Sequence, residues 1–267
     1  MTRKICLFLL ALFLVQCSTV PISNRKRVAF LPEAQLVSMA SNSYQGVMNE
    51  SKVIRSGEQY EMIQRVGNRI KEAVFIYLDE KGQGEDVRNY DWEFNLIDED
   101  VVNAWAMPGG KVAFYTGILP ICENETGVAV VMGHEIAHVV ARHGNERMSQ
   151  GLLQQKGALV LEVLMQEKPE STKNLFRTAY GLGSTVAGTL PFSRLHETEA
   201  DELGLIFMAI AGYDPAAAAP FWGRMSAKGG GGTPEFLSTH PSSDRRAANL
   251  QKNLPKAQKY YEQYQRN

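Results

Sequence analysis

The chain has 267 residues, of which 44% are hydrophobic, so it is long enough for one sizeable core but short for two. It carries 28 basic and 29 acidic residues, which gives a net charge of −1. There is no basic surplus to favour a nucleic-acid partner and no acidic surplus typical of a disordered chain. We therefore expect one folded domain that does not bind nucleic acid.

The amino terminus predicts a targeting segment. Arg3 and Lys4 precede an apolar run over 5–15, which is short for a bilayer span and typical of a secretory signal. The run ends at Leu-Val-Gln-Cys-Ser, the outline of a bacterial lipobox in which Cys17 is acylated, although Gln16 stands where a small residue is usual. The alternative is an ordinary signal peptide. Acylation at Cys17 would hold the protein on a membrane face.

These features predict a signal peptide at 1–16, a polar tether at 17–31 and a folded domain at 32–267. With Cys17 acylated and Cys6 inside the signal, Cys122 has no partner for a disulfide. We expect Cys122 to be a small buried apolar residue.

The first part of the folded domain predicts two helices, over 33–49 and 57–78, from apolar residues at three- and four-residue spacing. The pattern changes to period two over 90–96, which predicts a half-buried strand. A second strand is predicted at 111–115, after a Pro-Gly-Gly turn.

The residues before that turn predict an edge strand, because proline at the end of a strand suits a sheet edge. An exposed edge could pair with an extended substrate peptide. The alternative is a plain hairpin that supports the helix behind it. The residues concerned are Asn103, Ala104, Trp105 and Ala106.

The sequence His-Glu-Ile-Ala-His at 134–138 is the main chemical signal. Residues four apart share a helix face, so His134 and His138 can turn their imidazoles toward one metal ion. Glu135 lies about 100° round the helix, within reach of a water on that ion. This is the H-E-x-x-H arrangement of zinc peptidases, in which the glutamate is the general base. We expect Asn124 to cap this helix and Gly144 to close it.

His143 does not extend the motif. The metzincin pattern H-E-x-x-H-x-x-G-x-x-H requires glycine at 141 and histidine at 144, where this chain has alanine and glycine. We expect His143 to lie at the helix end, paired with Glu146. Two further helices are predicted over 147–165 and 172–187.

A second helix, capped by Ser193 and closed by Gly212, carries Glu197 and Asp201 four residues apart. A carboxylate is an acceptable third zinc ligand beside two imidazoles, and Asp201 could accept the free ring N–H of a ligating histidine. The alternative is a solvated acidic face, which suits Glu199 and Glu202. Small residues beside them, Ala200 and Gly204, would let the two helices approach closely.

These stretches resemble the membrane-associated gluzincin peptidases that include HtpX, the CAAX prenyl proteases and the mitochondrial Oma-type protease, and most of all the periplasmic BepA and LoiP branch. The matching residues are 103–110, 134–144, 193–204 and Thr-His-Pro-Ser at 239–242. The resemblance implies an α+β, zincin-like domain, mostly helical, with a small sheet beside the motif helix. It also implies one Zn²⁺ per chain, held by His134, His138 and Glu197, with Glu135 as general base.

His240 follows four glycines at 229–232, a stretch too flexible to hold one backbone conformation. In the BepA-like relatives the equivalent histidine is thought to occupy the open zinc position as a switch. The alternative is a surface or capping histidine before a helix that starts near Ser243. Arg245 and Arg246 follow, but nothing in the sequence fixes their direction.

The expected function is zinc-dependent endoproteolysis of misfolded or misassembled cell-envelope polypeptides, with water activated by zinc and Glu135. The expected location is the periplasmic face of a bacterial envelope, as an outer-membrane lipoprotein. The alternative is a latent, self-inhibited zinc protein that acts mainly as a chaperone-like assembly factor for outer-membrane proteins.

Overall fold

The computed structural model describes residues 17–20, 22–23, 25–154, 174–175, 179–180, 193–228, 234–240 and 244–265. These form one mostly helical α+β domain with a small mixed sheet. The predicted fold class is therefore confirmed.

Four strands make the main sheet, in the order β3-β4-β6-β5. The pairs β3–β4 and β5–β6 are antiparallel, whereas β4 and β6 are parallel. A separate antiparallel pair, β1–β2, lies near the amino end. The strands are β1 Cys17–Thr19, β2 Lys26–Val28, β3 Val53–Ile54, β4 Glu93–Ile97, β5 Ala104–Met107 and β6 Lys111–Tyr115.

The helices of the described ranges are α1 Glu33–Glu50, α2 Glu58–Glu80, α3 Glu85–Arg88, α4 Leu119–Cys122, α5 Glu125–Val140, α6 His143–Gln154, α7 Arg194–Ile210, α8 Ala218–Ala227, α9 Glu235–Thr239 and α10 Asp244–Gln265. None of them is long and apolar enough to cross a membrane. The predicted helices at 147–165 and 172–187 lie largely outside the described residues.

Helix α5 runs through the centre of the molecule, and every residue from Gly127 to Val140 is buried. It packs against α7, α2 and β5. At its crossing with α7 the backbones touch through glycine, because a Cβ on Gly133 would lie 2.9 Å from the carbonyl oxygen of Gly204. The predicted close approach of the two helices is confirmed.

Helix α5 ends earlier than predicted. Asn124 caps its start, accepting from the Gly127 amide at 3.1 Å, but its last residue is Val140. Arg142 has a φ of +57°, a left-handed conformation that no α-helix continues through. Gly144 therefore lies inside α6, and its predicted role as the closing residue is wrong.

The described residues of the stretch predicted as a tether, 17–20, 22–23 and 25–31, contact the rest of the domain. Cys17 pairs with Val28 across β1 and β2, and Val20 is fully buried. The guanidinium of Arg27 donates to the carbonyl oxygen of Arg142, at the turn between α5 and α6. A polar composition suggested a solvated linker, but partners on distant helices fix this segment.

Candidate metal centre

His134 and His138 extend from one face of α5 into the interior, where both are at most 3% exposed. Their rings meet edge to face, with centroids 4.7 Å apart. The Nε2 atom of His134 lies 3.1 Å from the Nε2 atom of His138. The one-turn spacing thus brings one nitrogen of each ring to the same point.

Helix α7 supplies the carboxylates that face these rings. Ser193 caps the helix as predicted, accepting from the His196 amide at 3.2 Å. Glu197 places Oε1 at 3.3 Å from Nε2 of His138 and Oε2 at 3.5 Å from Nε2 of His134. Asp201, one turn on, lies 3.0 Å from Nδ1 of His134. The two helices therefore bring both predicted carboxylates to the histidine pair.

His240 joins the same group from the segment after α9. Its Nδ1 atom lies 3.2 Å from Nε2 of His134 and 3.1 Å from Oε1 of Glu197. The ring is 2% exposed and stacks on Phe236, with centroids 4.5 Å apart. The reading of His240 as a surface residue is therefore wrong.

The donor set fits a tetrahedral metal ion. Ligand atoms 2.0–2.1 Å from zinc at tetrahedral corners stand about 3.3 Å apart. The distances between the facing nitrogen and oxygen atoms of these four side chains, from 3.1 to 3.5 Å, scatter around that separation. One ligand atom from each of His134, His138, Glu197 and His240 lies within 4.8 Å of all the others. Because Asp201 can accept the Nδ1 proton of His134, the lone pair of that ring is left on Nε2, toward the shared point.

Glu135 lies beside this group and is 2% exposed. Its Oε1 atom is 3.4 Å from Nε2 of His240 and makes no hydrogen bond within the described residues. Burial raises the pKa of Glu135 above its ordinary value. A buried carboxylate with an uncommitted oxygen can exchange protons with a bound water or substrate.

Arg246 is the residue whose place the sequence left open. Its guanidinium donates to Oδ1 of Asp201 at 2.7 Å and lies 2.9 Å from Oε2 of Glu197. It also covers the ring of Trp222 at 3.3 Å. Burial alone would raise the pKa of Glu197, but the electrostatic influence of the neighbouring His240, Arg246 and His134 side chains outweighs it and holds that pKa well below the ordinary value. Two carboxylates that are buried on one helix face, as Glu197 and Asp201 are, need a cation beside them. That need was the feature of the sequence that could have predicted the position of Arg246.

A second polar cluster lies behind His138. Nδ1 of His143 is 2.9 Å from Nδ1 of His138, and Nε2 of His143 is 3.0 Å from Oε2 of Glu199. His143 is fully buried and is the first residue of α6, so it does not lie at the carboxyl end of the motif helix, where it was predicted. Burial lowers the pKa of His143 to about 4.

Glu199 was predicted to be solvated, but its side chain is 11% exposed. It shares Arg25 with Glu146, at 3.1 and 2.8 Å. Burial would raise the pKa of Glu199, but hydrogen bonds from His143 and Ser23 and the charge of Arg25 lower it to about 2. Glu202 does lie near the surface, where it pairs with Lys256 at 2.8 Å.

The predicted edge strand lies at the edge of the sheet but is covered. Every residue of β5 is buried, and the free side faces α6, Tyr180 and the segment that contains Thr239 and His240. The amide of Phe236 also donates to the carbonyl oxygen of Val102 at 3.1 Å. No peptide can pair with this strand until the cover moves.

A helix that carries H-E-x-x-H, faced by a glutamate from a second helix beside a small sheet, defines a zincin-like metallopeptidase. The chain belongs to Peptidase family M48, whose sequence profile matches residues 64–254. It is a metal-dependent endopeptidase.

Individual relatives agree with the family. The chain is 34% identical to the mitochondrial metalloendopeptidase OMA1 of Schizosaccharomyces pombe, over 90% of this chain and 67% of that protein. It is 32% identical to the OMA1 enzyme of Saccharomyces cerevisiae, over 91% and 70%. It is 31% identical to the beta-barrel assembly-enhancing protease of Escherichia coli K12, over 59% of this chain and 33% of that protein.

Proposed function

We propose that the chain is a zinc-dependent endopeptidase in which His134, His138 and Glu197 hold one Zn²⁺ and Glu135 is the general base. The observation that carries the proposal is the convergence of two Nε2 atoms and one carboxylate at 3.1 to 3.5 Å. Two imidazoles and a carboxylate are one of the ligand sets found at catalytic zinc, and they leave a fourth position open for water.

Zinc, when bound, would act as a Lewis acid that polarises the scissile carbonyl and makes water a nucleophile at neutral pH. Glu135 takes the proton of the attacking water and passes it to the leaving amine. The pKa of Glu135 is raised by burial. This direction suits the task, because a group that must both accept and release a proton works best when its pKa is close to the ambient pH. Asp201 keeps His134 in one tautomer, and Arg246 keeps Asp201 and Glu197 in place.

The test is Glu135→Gln in the full chain, with metal content and digestion of an unfolded protein such as casein measured together. Because Glu135 touches the reacting water but not the ion, the variant should retain zinc and lose at least about 10³-fold in rate. Undiminished cleavage would refute the role of Glu135. A wild-type chain without zinc would refute the metal assignment.

We further propose that His240 fills the fourth position in a resting form. Its Nδ1 atom lies in the ligand group, and its neighbour Thr239 lies against β5. This observation also favours the second candidate function, a latent zinc protein that assists assembly of outer-membrane proteins. The two are separated in cells: if Glu135→Gln supports envelope assembly as well as wild type does, binding rather than cleavage is the main activity.

For the substrates, we propose misfolded or misassembled cell-envelope polypeptides, reached from a lipid anchor at Cys17 on the periplasmic face of the outer membrane. The name of the Escherichia coli relative, which refers to beta-barrel assembly, supports this class. Glu135→Gln should retain such polypeptides in cells, and mass spectrometry identifies them. Palmitate labelling of wild type but not of Cys17→Ser checks the anchor; labelling of neither would refute it.

A further inference from the structure

The ring nitrogen of His138 that points away from the ligand group is engaged by a second histidine. Nδ1 of His138 lies 2.9 Å from Nδ1 of His143. The other nitrogen of His143 lies 3.0 Å from Oε2 of Glu199. Oε2 of Glu199 in turn accepts hydrogen bonds from Nε and one terminal nitrogen of Arg25, at 3.2 and 3.1 Å. The four side chains make a continuous row from the candidate metal centre to the segment that joins β1 to β2.

The donors and acceptors of these groups allow the hydrogen bonds along the row to run in only one direction. An ionised carboxylate only accepts hydrogen bonds, so His143 donates its Nε2 proton to Glu199. A neutral imidazole that donates from Nε2 has its lone pair on Nδ1. That lone pair can accept only if the facing Nδ1 of His138 carries a proton, and His138 then has its own lone pair on Nε2.

We propose that His143 is a positioning residue for the metal centre, which fixes the tautomer of His138 by accepting its Nδ1 proton. Glu199 sets the orientation of His143, and Arg25 sets that of Glu199. The inference rests on the proposed ligand role of His138, and it assigns to three further residues a function that the H-E-x-x-H motif does not contain.

The composition of the row favours this reading over simple packing. His143 is 0% exposed, and burying an imidazole costs free energy unless both its nitrogens are paired. Here the two pairs lead in opposite directions, one to a proposed ligand and one to an anchored carboxylate. The members come from four separate places in the chain: the β1–β2 connection, α5, the start of α6 and α7.

The neighbouring His196 provides a matched control. It is 1% exposed, and its ring stacks on that of His143 with centroids 4.5 Å apart. Its Nε2 atom pairs with Glu146 at 3.1 Å. Replacing either histidine by leucine removes an equally buried ring from the same stack, but His143→Leu alone removes the acceptor for His138.

The experiment measures zinc affinity of the full chain by competition with a chelator, with circular dichroism to confirm folding. Loss of an outer partner of a zinc-ligating histidine typically weakens binding about 10- to 100-fold, so that is the loss expected for His143→Leu. His143→Asn, which keeps an acceptor near the Nδ1 position, should recover most of it. His196→Leu should change zinc affinity less than about threefold, because its ring lies outside the row.

A second readout does not involve the metal. In the apo protein, ¹⁵N chemical shifts should show His138 protonated at Nδ1 in wild type and a mixture of tautomers in His143→Leu. If His143→Leu does not fold, Arg25→Gln tests the row from a side chain that is 21% exposed, and it should weaken zinc several-fold.

Equal losses for His143→Leu and His196→Leu, or an unchanged His138 tautomer, would overturn the inference. Unchanged zinc affinity in Arg25→Gln would do so where only that variant can be made. Failure of the proposed function is a different result: the wild-type chain would then bind no zinc, whereas failure of this inference leaves wild-type binding intact.

Discussion

The two histidines of α5 differ in what holds them. Nδ1 of His134 meets the carboxylate of Asp201 directly, at 3.0 Å, and Arg246 clamps that carboxylate at 2.7 Å. Nδ1 of His138 meets a second imidazole at 2.9 Å, and the carboxylate of Glu199 comes one step later. Each histidine thus begins a row of side chains that ends in an arginine. The row from His134 ends at Arg246 on α10, and the row from His138 ends at Arg25, next to β2.

The comparison shows that each histidine needs a fixed acceptor for its Nδ1 proton. A carboxylate can supply that acceptor directly or through a second imidazole. A ring nitrogen that is to face a metal needs its partner nitrogen to be protonated, and any fixed acceptor achieves that. Near His134 the approach of α7 at Gly133 and Gly204 brings a carboxylate within reach. At His138 the space is filled by His143, and the carboxylate on α7 is reached through it.

The strongest way to break the comparison is Asp201→Asn. The amide keeps the shape but loses the charge that orients His134 and pairs with Arg246, so zinc affinity should fall about 10- to 100-fold. Chelator competition measures it. The expected loss is as large as that for His143→Leu, which would show that the direct and the relayed acceptor support their rings equally well. Unchanged affinity would show that His134 needs no charged partner.

His240→Ala sharpens the comparison by leaving both rows intact. His240 touches His134 and Glu197 on the ligand side, so its removal should open the fourth position without loss of the other three ligands. We expect cleavage of casein to rise by about threefold or more, because His240 no longer competes with water for the fourth position and more molecules are able to cleave substrate. Unchanged or lower activity with zinc retained would contradict the resting role of His240.

Gly133→Ala tests the helix crossing that places the His134 row. The added Cβ would lie 2.9 Å from a backbone oxygen of α7, so the helices must move apart, at a cost of about 1–3 kcal/mol in the free energy of unfolding. Thermal or urea denaturation measures it. Gly223→Ala in α8 is the control: its Cβ meets nothing within 4 Å, so stability should rise by up to about 1 kcal/mol. Equal effects would refute the tight crossing.

The sequence predicted the parts of the centre that depend on helix geometry alone. His134 and His138 share a face because they are four residues apart, and the same spacing joins Glu197 to Asp201. The caps Asn124 and Ser193 could be predicted because their side chains accept hydrogen bonds from backbone amides only three residues away.

The parts that depend on contacts between distant segments were not predictable in this way. Glu199 looks like a solvated residue until Arg25, 174 residues earlier, is placed against it. The segment predicted as a tether contains β1 and β2 for the same reason, because its partners lie on α6, on α7 and at the turn between α5 and α6. His143 was misread because its position depends on the left-handed Arg142, and nothing in the local pattern predicts that turn.

The buried edge strand β5 has a consequence for inhibitor design. A substrate-like compound that binds by strand addition can reach only molecules whose cover is displaced, so its apparent affinity is the intrinsic affinity reduced by the fraction of such molecules. A small chelating compound needs no strand contact, but it must displace His240, which lies in the ligand group and belongs to the same cover. Both kinds of compound therefore depend on the fraction of molecules in which this segment has moved.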